Sequence, residues 1–277
     1  MREDPFEGRL ALVTGAASGI GAAMCNALAA RGARLVICDV DARKLAVRQG
    51  ALGGAVVMAE TIDVGDREQM AALAEKVHAK LGPLDLLFNN AGVAVGGDLL
   101  TTPLEDWDWM LRANLWGVIY GCHFFGPAMR AAPGKAHIIN TASAAGLAGA
   151  PLMGAYCASK CAVVGYSESL RDESDPTQLG VHVVCPGFLP TQIAASGRFS
   201  SDRSRKAADK LLNRPNRGPS DVALATLRAI ERDRFLVLVY PEAWMQLARR
   251  VMPGGLARTV RVVTAQLTGP RGAEGQG

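Results

Sequence analysis

The chain has 277 residues, 49% of them apolar and 20% charged, with 30 basic against 26 acidic side chains and a net charge of +4. This composition supports a large buried core and excludes a disordered chain. The charge excess is small and forms no basic stripe with interleaved aromatics, so no nucleic-acid partner is expected.

Short apolar runs at Leu10–Thr14, Arg34–Asp39, Ala55–Asp63, Leu84–Asn89, Ala136–Thr141, Val181–Cys185 and Phe235–Tyr240 alternate with helix-like segments at 19–31, 42–50, 66–81, 103–131, 153–174 and 220–232. The runs are apolar throughout rather than at every second residue, as suits strands covered on both faces. Strand–helix repetition predicts an α/β fold: a doubly wound, Rossmann-type, seven-stranded parallel sheet with helices on both faces. One domain is expected over 1–268. It includes a substrate loop at 188–218, rich in Ser, Arg, Asn, Gly and Pro, with a short helix near 203–213. A helical extension follows over 241–263, with a helix from Pro241 to about Val251, and the Gly-rich residues 269–277 read as a disordered tail.

The first run ends in Thr14-Gly15-Ala16-Ala17-Ser18-Gly19-Ile20-Gly21 and leads into a helix. Glycines allow a tight turn and close backbone approach, and a helix N-terminus offers unpaired N–H groups to a phosphate. The spacing is G-x-x-x-G-x-G rather than G-x-G-x-x-G, yet its place after the first strand points to pyrophosphate. The second run ends in Asp39, eighteen residues past Gly21. A carboxylate there accepts hydrogen bonds from a ribose 2′-hydroxyl and repels a 2′-phosphate, favouring NAD over NADP. Arg43 and Lys44 lie nearby and fit a solvated helix face.

Tyr156 and Lys160 are four residues apart, one turn of one helix face. A phenol has a reference pKa of about 10, and a fixed cation nearby favours its ionised form. Thirteen residues upstream, Ser143 offers a hydroxyl suited to a carbonyl or carbinol oxygen.

Together with Asn89-Asn90-Ala91-Gly92, Asn114 and Pro186-Gly187, these motifs resemble, in type and order, the classical short-chain dehydrogenase/reductase family over residues 8 to about 240. The resemblance implies Tyr156 as the acid-base residue, Lys160 as a nicotinamide-ribose ligand that lowers the tyrosine pKa, Ser143 as the group orienting substrate, and Asn114 as part of a water-linked proton path. It also implies that the glycine motif (Gly15, Ser18, Gly19, Ile20, Gly21) binds cofactor and that Asp63-Val64 meets the adenine. Asn90, Ala91 and Gly92 would line the cofactor, and Pro186, Gly187 and Thr191 would flank the nicotinamide. Ala142 stands where many members carry a second serine.

The expected activity is NAD-dependent hydride transfer to or from an apolar secondary alcohol or ketone, because Val93, Val95, Leu147, Leu152, Met153, Phe188, Leu189 and Ile193 are all apolar on the expected substrate side. Alternatives are a catalytically silent NAD-binding regulator with the same fold, and an isomerase using bound NAD transiently. The intact Asn114, Ser143, Tyr156 and Lys160 set argues against the first. The resemblance further implies a homodimer or homotetramer.

Six cysteines form no C-x-x-C pair and no histidine lies near them in sequence, so reduced buried thiols and no metal site are expected. The start, Met1-Arg2-Glu3-Asp4-Pro5, leads into no signal-like apolar core, and no apolar run approaches the ~18 residues of a membrane span. A cytoplasmic location is expected, with membrane-surface contact through basic, amphipathic 242–263 as a lesser alternative.

Overall fold

In the computed structural model, residues 4–187, 189, 193, 196–201, 204–206 and 218–251 are described. Strands β1 (Leu10–Thr14), β2 (Arg34–Asp39), β3 (Val56–Thr61), β4 (Leu86–Asn89), β6 (Ala136–Thr141), β7 (Leu179–Pro186) and β9 (Leu236–Val239) form one sheet, and β5 (Val95–Gly96) pairs with β8 (Arg198–Phe199). The main sheet runs β3-β2-β1-β4-β6-β7-β9, with every pairing parallel. The winding reverses between β1 and β4, where open α/β sheets leave a crevice at their C-terminal edge.

The helices are α1 (Gly19–Ala29), α2 (Ala42–Leu52), α3 (Arg67–Leu81), α4 (Leu104–Leu111), α5 (Gly117–Ala131), α6 (Gly154–Asp172), α7 (Pro219–Glu231) and α8 (Pro241–Val251). Two apolar layers hold them to the sheet. Leu12 and Val36 face Met70, Val77, Phe125 and Val163, while Val13, Leu35 and Ile37 face Met24, Leu28, Val222 and Leu227. The period-two alternation of a strand is therefore present in packing, though both sets are apolar. Each such side chain contributes about 1.5–3 kcal/mol on burial. Asp41 and Asp66 cap α2 and α3 by accepting amide hydrogen bonds from Lys44, and from Glu68 and Gln69.

The helix expected over 103–131 is two helices. Between α4 and α5, Arg112–Trp116 form a π turn that contains the buried Asn114. Hydropathy has no period that reports such a turn, since the residues on either side stay helical. Strands β1, β2 and β6 coincide with their apolar runs, β3, β4 and β9 are shorter, and β7 is longer, extending from Leu179 to Pro186. The β5–β8 pair was not expected. The helix Pro241–Val251 forms as expected. Of the short helix expected near 203–213, residues 204–206 are helical and the rest lie outside the described residues, as do Phe188, Thr191, 252–263 and the 269–277 tail. Among the described residues, no helix is long and apolar enough to cross a membrane.

Candidate functional site

Every motif singled out above, Thr191 apart, follows a strand at the C-terminal edge of the sheet or lies on a helix packed beside it. At the first turn, the Thr14 hydroxyl accepts the amides of Asn90 (2.9 Å) and Ala91 (3.0 Å) and donates to the Phe88 carbonyl (3.3 Å). The Asn90 side chain donates back to the carbonyls of Thr14 (3.0 Å) and Gly15 (3.4 Å). Gly15 has φ of +63°, and a Cβ on it would lie 2.8 Å from the Ala91 backbone, so glycine alone fits. Ser18 takes the N-cap position of α1 with no side-chain cap bond, and Gly19, Ile20 and Gly21 form the first helical turn.

Asp39 ends β2, and its carboxylate accepts the amides of Ala17 and Asp41, each at 3.0 Å. It braces the glycine turn from the position expected of a ribose ligand. Beside Ala17, a cavity of about 380 Å³ is lined by Arg43, Lys44, Val47, Arg48 and Ala51. Lys44 spends its charge on Asp41 (2.9 Å) and Arg48 donates to Asn26 (3.1 Å). Asp63 is exposed and accepts the Gly65 amide (2.8 Å), whereas Val64 is buried in the core beside α5.

The four residues expected to carry the chemistry come from three segments. Asn114 is fully buried. Its Oδ1 accepts the Val93 amide (2.8 Å), and its Nδ2 donates to the Val93 carbonyl (3.0 Å) and to Ser159 Oγ (3.0 Å). The Ser143 hydroxyl accepts the Ala145 amide (3.1 Å) and shares a hydrogen bond with the Tyr156 phenol. Tyr156 is 7% exposed and Lys160 3%. The ammonium donates to the Thr141 carbonyl (2.9 Å) and lies 5.9 Å from the centre of the Tyr156 ring. A Cβ on Gly92 would lie 2.9 Å from Asn114 Oδ1 and 3.4 Å from Lys160 Nζ, which places the Asn90–Gly92 segment against both.

Burial dominates the electrostatics. It pushes the Tyr156 phenol up to about 12, with the Ser143 hydrogen bond partly offsetting it. It pushes Lys160 down to about 8, so the ammonium is itself weakened. The expected depression of the phenol by Lys160 is not met in this structure. The cation is held to Thr141 and lies on the ring side, and desolvation wins.

Of the apolar residues expected around the substrate, Val93, Val95, Met153 and Ile193 share a cluster with Tyr156. Leu147 and Leu189 pack instead into the cores on opposite faces of the sheet. Leu152 has φ of +61°, and its carbonyl accepts the Gly97 amide. Pro186 closes β7, and the Gly187 amide bonds the Val239 carbonyl (2.9 Å).

Ser159 was missed. Its place three residues after Tyr156, on the same helix side, was the available signal. A histidine pair was missed too. His137 Nδ1 and His182 Nε2 are 2.9 Å apart, and with Asp233 they bring ligand-type atoms within 4.8 Å of one another. The two rings are spent on each other, and Lys135 holds Asp233 (2.9 Å).

The sequence pattern of the short chain dehydrogenases matches residues 9–200. The chain belongs to that family. A Mycobacterium tuberculosis protein named "Probable oxidoreductase EphD" is 36% identical over 93% of this chain, which spans 45% of that relative's length. The D-threitol dehydrogenase of Mycolicibacterium smegmatis is 38% identical over 68% of this chain and 73% of its own. A short chain dehydrogenase/reductase structure from Burkholderia phymatum, in complex with NAD, superposes with a TM-score of 0.84. It is 34% identical, covering 95% of this chain and 97% of that one.

The residues of this short-chain dehydrogenase fit a dinucleotide. The close backbone packing of Gly15 on Ala91, the clamp of Thr14 and Asn90, and the acceptor at the end of β2 fix the glycine turn and the N-terminus of α1 at the C-terminal edge of the sheet, where a dinucleotide would bind.

Proposed function

We propose that the chain is an NAD-dependent oxidoreductase acting on an uncharged, apolar secondary alcohol or ketone, with Tyr156 carrying the proton. The observation that supports this best is the Tyr156 phenol, buried in an apolar cluster, hydrogen-bonded to Ser143, and one turn from Lys160. A dinucleotide held by the glycine turn, Asp39 and the Asn90–Gly92 segment would supply hydride exchange at its nicotinamide. In the oxidative direction, a Tyr156 phenolate takes the hydroxyl proton from the alcohol. In the reductive direction, the neutral phenol gives that proton to the carbonyl oxygen. Ser143 donates a hydrogen bond to the same oxygen in both directions, and Lys160 holds the ribose beside it. The upward displacement of the phenol favours the proton-bearing form that reduction needs. Proton transfer of this kind contributes about 10²–10⁴-fold.

The NAD preference rests on Asp39, whose carboxylate faces the glycine turn, and the NAD complex of the Burkholderia relative supports it. Arg43 and Lys44 beside Ala17 pull the other way, towards a phosphorylated ribose. The apolar substrate rests on Val93, Val95, Met153 and Ile193 around Tyr156. A homodimer or homotetramer is part of the proposal, supported by the half-exposed Trp116 of the π turn, stacked on Tyr120 of α5 (5.6 Å). So is a cytoplasmic location.

The test is initial-rate assay of 2-octanol, cyclohexanol, 1-phenylethanol and D-threitol with NAD⁺ and with NADP⁺, following NADH or NADPH absorbance. The expected result is turnover of the apolar alcohols with NAD⁺, and Tyr156→Phe slower by roughly 10²–10⁴-fold. A preference for D-threitol would refute the apolar site. Undiminished turnover in Tyr156→Phe would refute the mechanism.

A further inference from the structure

Arg198 opens the two-residue strand β8, far in sequence from the residues it touches. Its amide donates to the Ala94 carbonyl, and the Ser200 amide donates to the Gly96 carbonyl, both at 3.0 Å, which seats β8 on β5. The fit is close, since a Cβ on Gly96 would lie 2.7 Å from the Phe199 ring. The Arg198 guanidinium then reaches α4. Nη1 donates to Asp106 Oδ1 at 2.8 Å, and Cζ lies 4.1 Å from the centre of the Trp109 ring. Asp106 and Trp109 are three residues apart and share a helix face, so one planar cation meets both.

These contacts tie β8 to two parts of the site that already pack together in the apolar cluster of Tyr156. Strand β5 follows the Asn90–Gly92 segment, and α4 leads into the π turn that holds Asn114. Ala94 and Val95 belong to the apolar cluster of Tyr156, and Ile193, five residues before Arg198, packs on the same cluster. Arg198 touches none of the residues expected to react. Its side chain is about half exposed and that of Asp106 one-fifth exposed, so the pair is open to salt.

We propose that Arg198 is a positioning residue: it latches the segment around β8 onto β5 and α4, and so sets the apolar wall that Ile193 and Val95 present beside Tyr156. The proposal rests on the dehydrogenase reading for its kinetic consequence, but not for its structural one. The latch governs how tightly an apolar substrate is held, and the proton transfer itself is left to Tyr156 and Ser143. Losing the stacked ion pair then raises KM with little effect on kcat. A lysine at this position keeps the charge but cannot stack and pair in one plane.

The test compares the full-length protein with Arg198→Met, Arg198→Lys, Asp106→Asn and Trp109→Leu. Hydrogen exchange is read on the peptide covering 196–201, and kinetics are read with 2-octanol and NAD⁺. The expected result in Arg198→Met is faster exchange of the Arg198-to-Ser200 amides by about tenfold, with exchange in β6 unchanged. KM rises roughly five- to tenfold with kcat within about twofold. Arg198→Lys, Asp106→Asn and Trp109→Leu fall between. Raising salt should increase KM in the wild type but not in Arg198→Met. Unchanged exchange at 196–201 in Arg198→Met would overturn the latch. Faster exchange with an unmoved KM, or a fall confined to kcat, would overturn its role in substrate binding. If the wild type turns over no alcohol while exchange responds as expected, the latch stands and the substrate reading fails.

Discussion

The Asp39 carboxylate holds the glycine turn, with the Ala17 amide donating to its Oδ2 at 3.0 Å. This gives one side chain two separable duties, bracing the turn and excluding a 2′-phosphate. Asp39→Asn keeps an oxygen acceptor for Ala17, loses the charge, and gives up the acceptor of the Asp41 amide, which borders solvent. Its melting temperature should stay within a few degrees of wild type, while its preference for NAD⁺ over NADP⁺ falls by roughly tenfold or more. Asp39→Ala removes the acceptor as well and should lose about 1–3 kcal/mol of stability by denaturant unfolding. Equal cofactor preference in wild type and Asp39→Asn would show that Arg43 and Lys44 set the selectivity.

Ser159 holds Asn114 through Oγ. Removing that hydroxyl leaves Asn114 Nδ2 one acceptor, the Val93 carbonyl, so the amide stays in place with less restraint. Ser159→Ala is expected to cost about 1 kcal/mol of positioning, read as a roughly fivefold loss of kcat with KM for NAD⁺ little changed. Ser159→Thr keeps the hydroxyl and should recover part of the loss if the extra methyl is accommodated. An unaltered kcat in Ser159→Ala would mean that Val93 alone positions Asn114.

Gly92 faces Asn114 Oδ1 and Lys160 Nζ with only a Cα. Gly92→Ala puts a methyl 2.9 Å from the amide oxygen and must displace it. The variant should fold, since Gly92 has no positive φ to relieve, but its affinity for NADH, measured by fluorescence titration, should fall by about tenfold or more. Wild-type affinity in Gly92→Ala would show that the nicotinamide side does not approach this backbone.

The His137–His182 pair predicts a pH dependence of stability. Burial holds His137 at about 3 and also lowers His182, which accepts from its partner and bonds the Arg234 carbonyl (2.7 Å). Arg9 and Lys135 beside His137 lower it further, and Asp233 opposes them. The unfolded chain takes up a proton on His137 below about pH 6.5 and the folded chain does so only near pH 3, while the lowered His182 acts in the same direction. Stability is therefore full above pH 6.5 and is lost as pH falls from there towards 3. Between pH 6.5 and 5, His137 alone should cost about 2 kcal/mol, read in urea midpoints. His137→Asn should flatten that slope, and a slope unchanged in the variant would place its origin in the carboxylates.

Much of the fold was legible because the strands are buried on both faces. Val36 and Ile37 pack on opposite layers, so the whole run is apolar and its ends are marked by Arg34 and Asp39. The glycine turn and the Tyr156–Lys160 pair were legible for another reason: each is local, and its geometry follows from spacing along one element. Contacts between distant segments were not. The Asp39–Ala17 bond, the Asn114–Ser159 bond and the Arg198–Asp106 pair join residues 22, 45 and 92 positions apart, and nothing in residue type alone selects those partners. The phenol's ionisation was misjudged for the same reason. Spacing places Lys160 near Tyr156, but the balance between burial and charge depends on everything packed around them.

The π turn at Arg112–Trp116 works as a phase shift in an otherwise regular rod. Each residue of an α-helix turns the chain by about 100°, so one extra residue in a turn rolls all that follows by that amount. The two ends of the 104–131 rod are thereby freed from a common rotation. The leading end can offer Asp106 and Trp109 to Arg198 while the trailing end turns Gly121 and Cys122 under Asn89. Excising a single residue from this turn would leave a straighter helix whose halves no longer face the surfaces they were cut to fit.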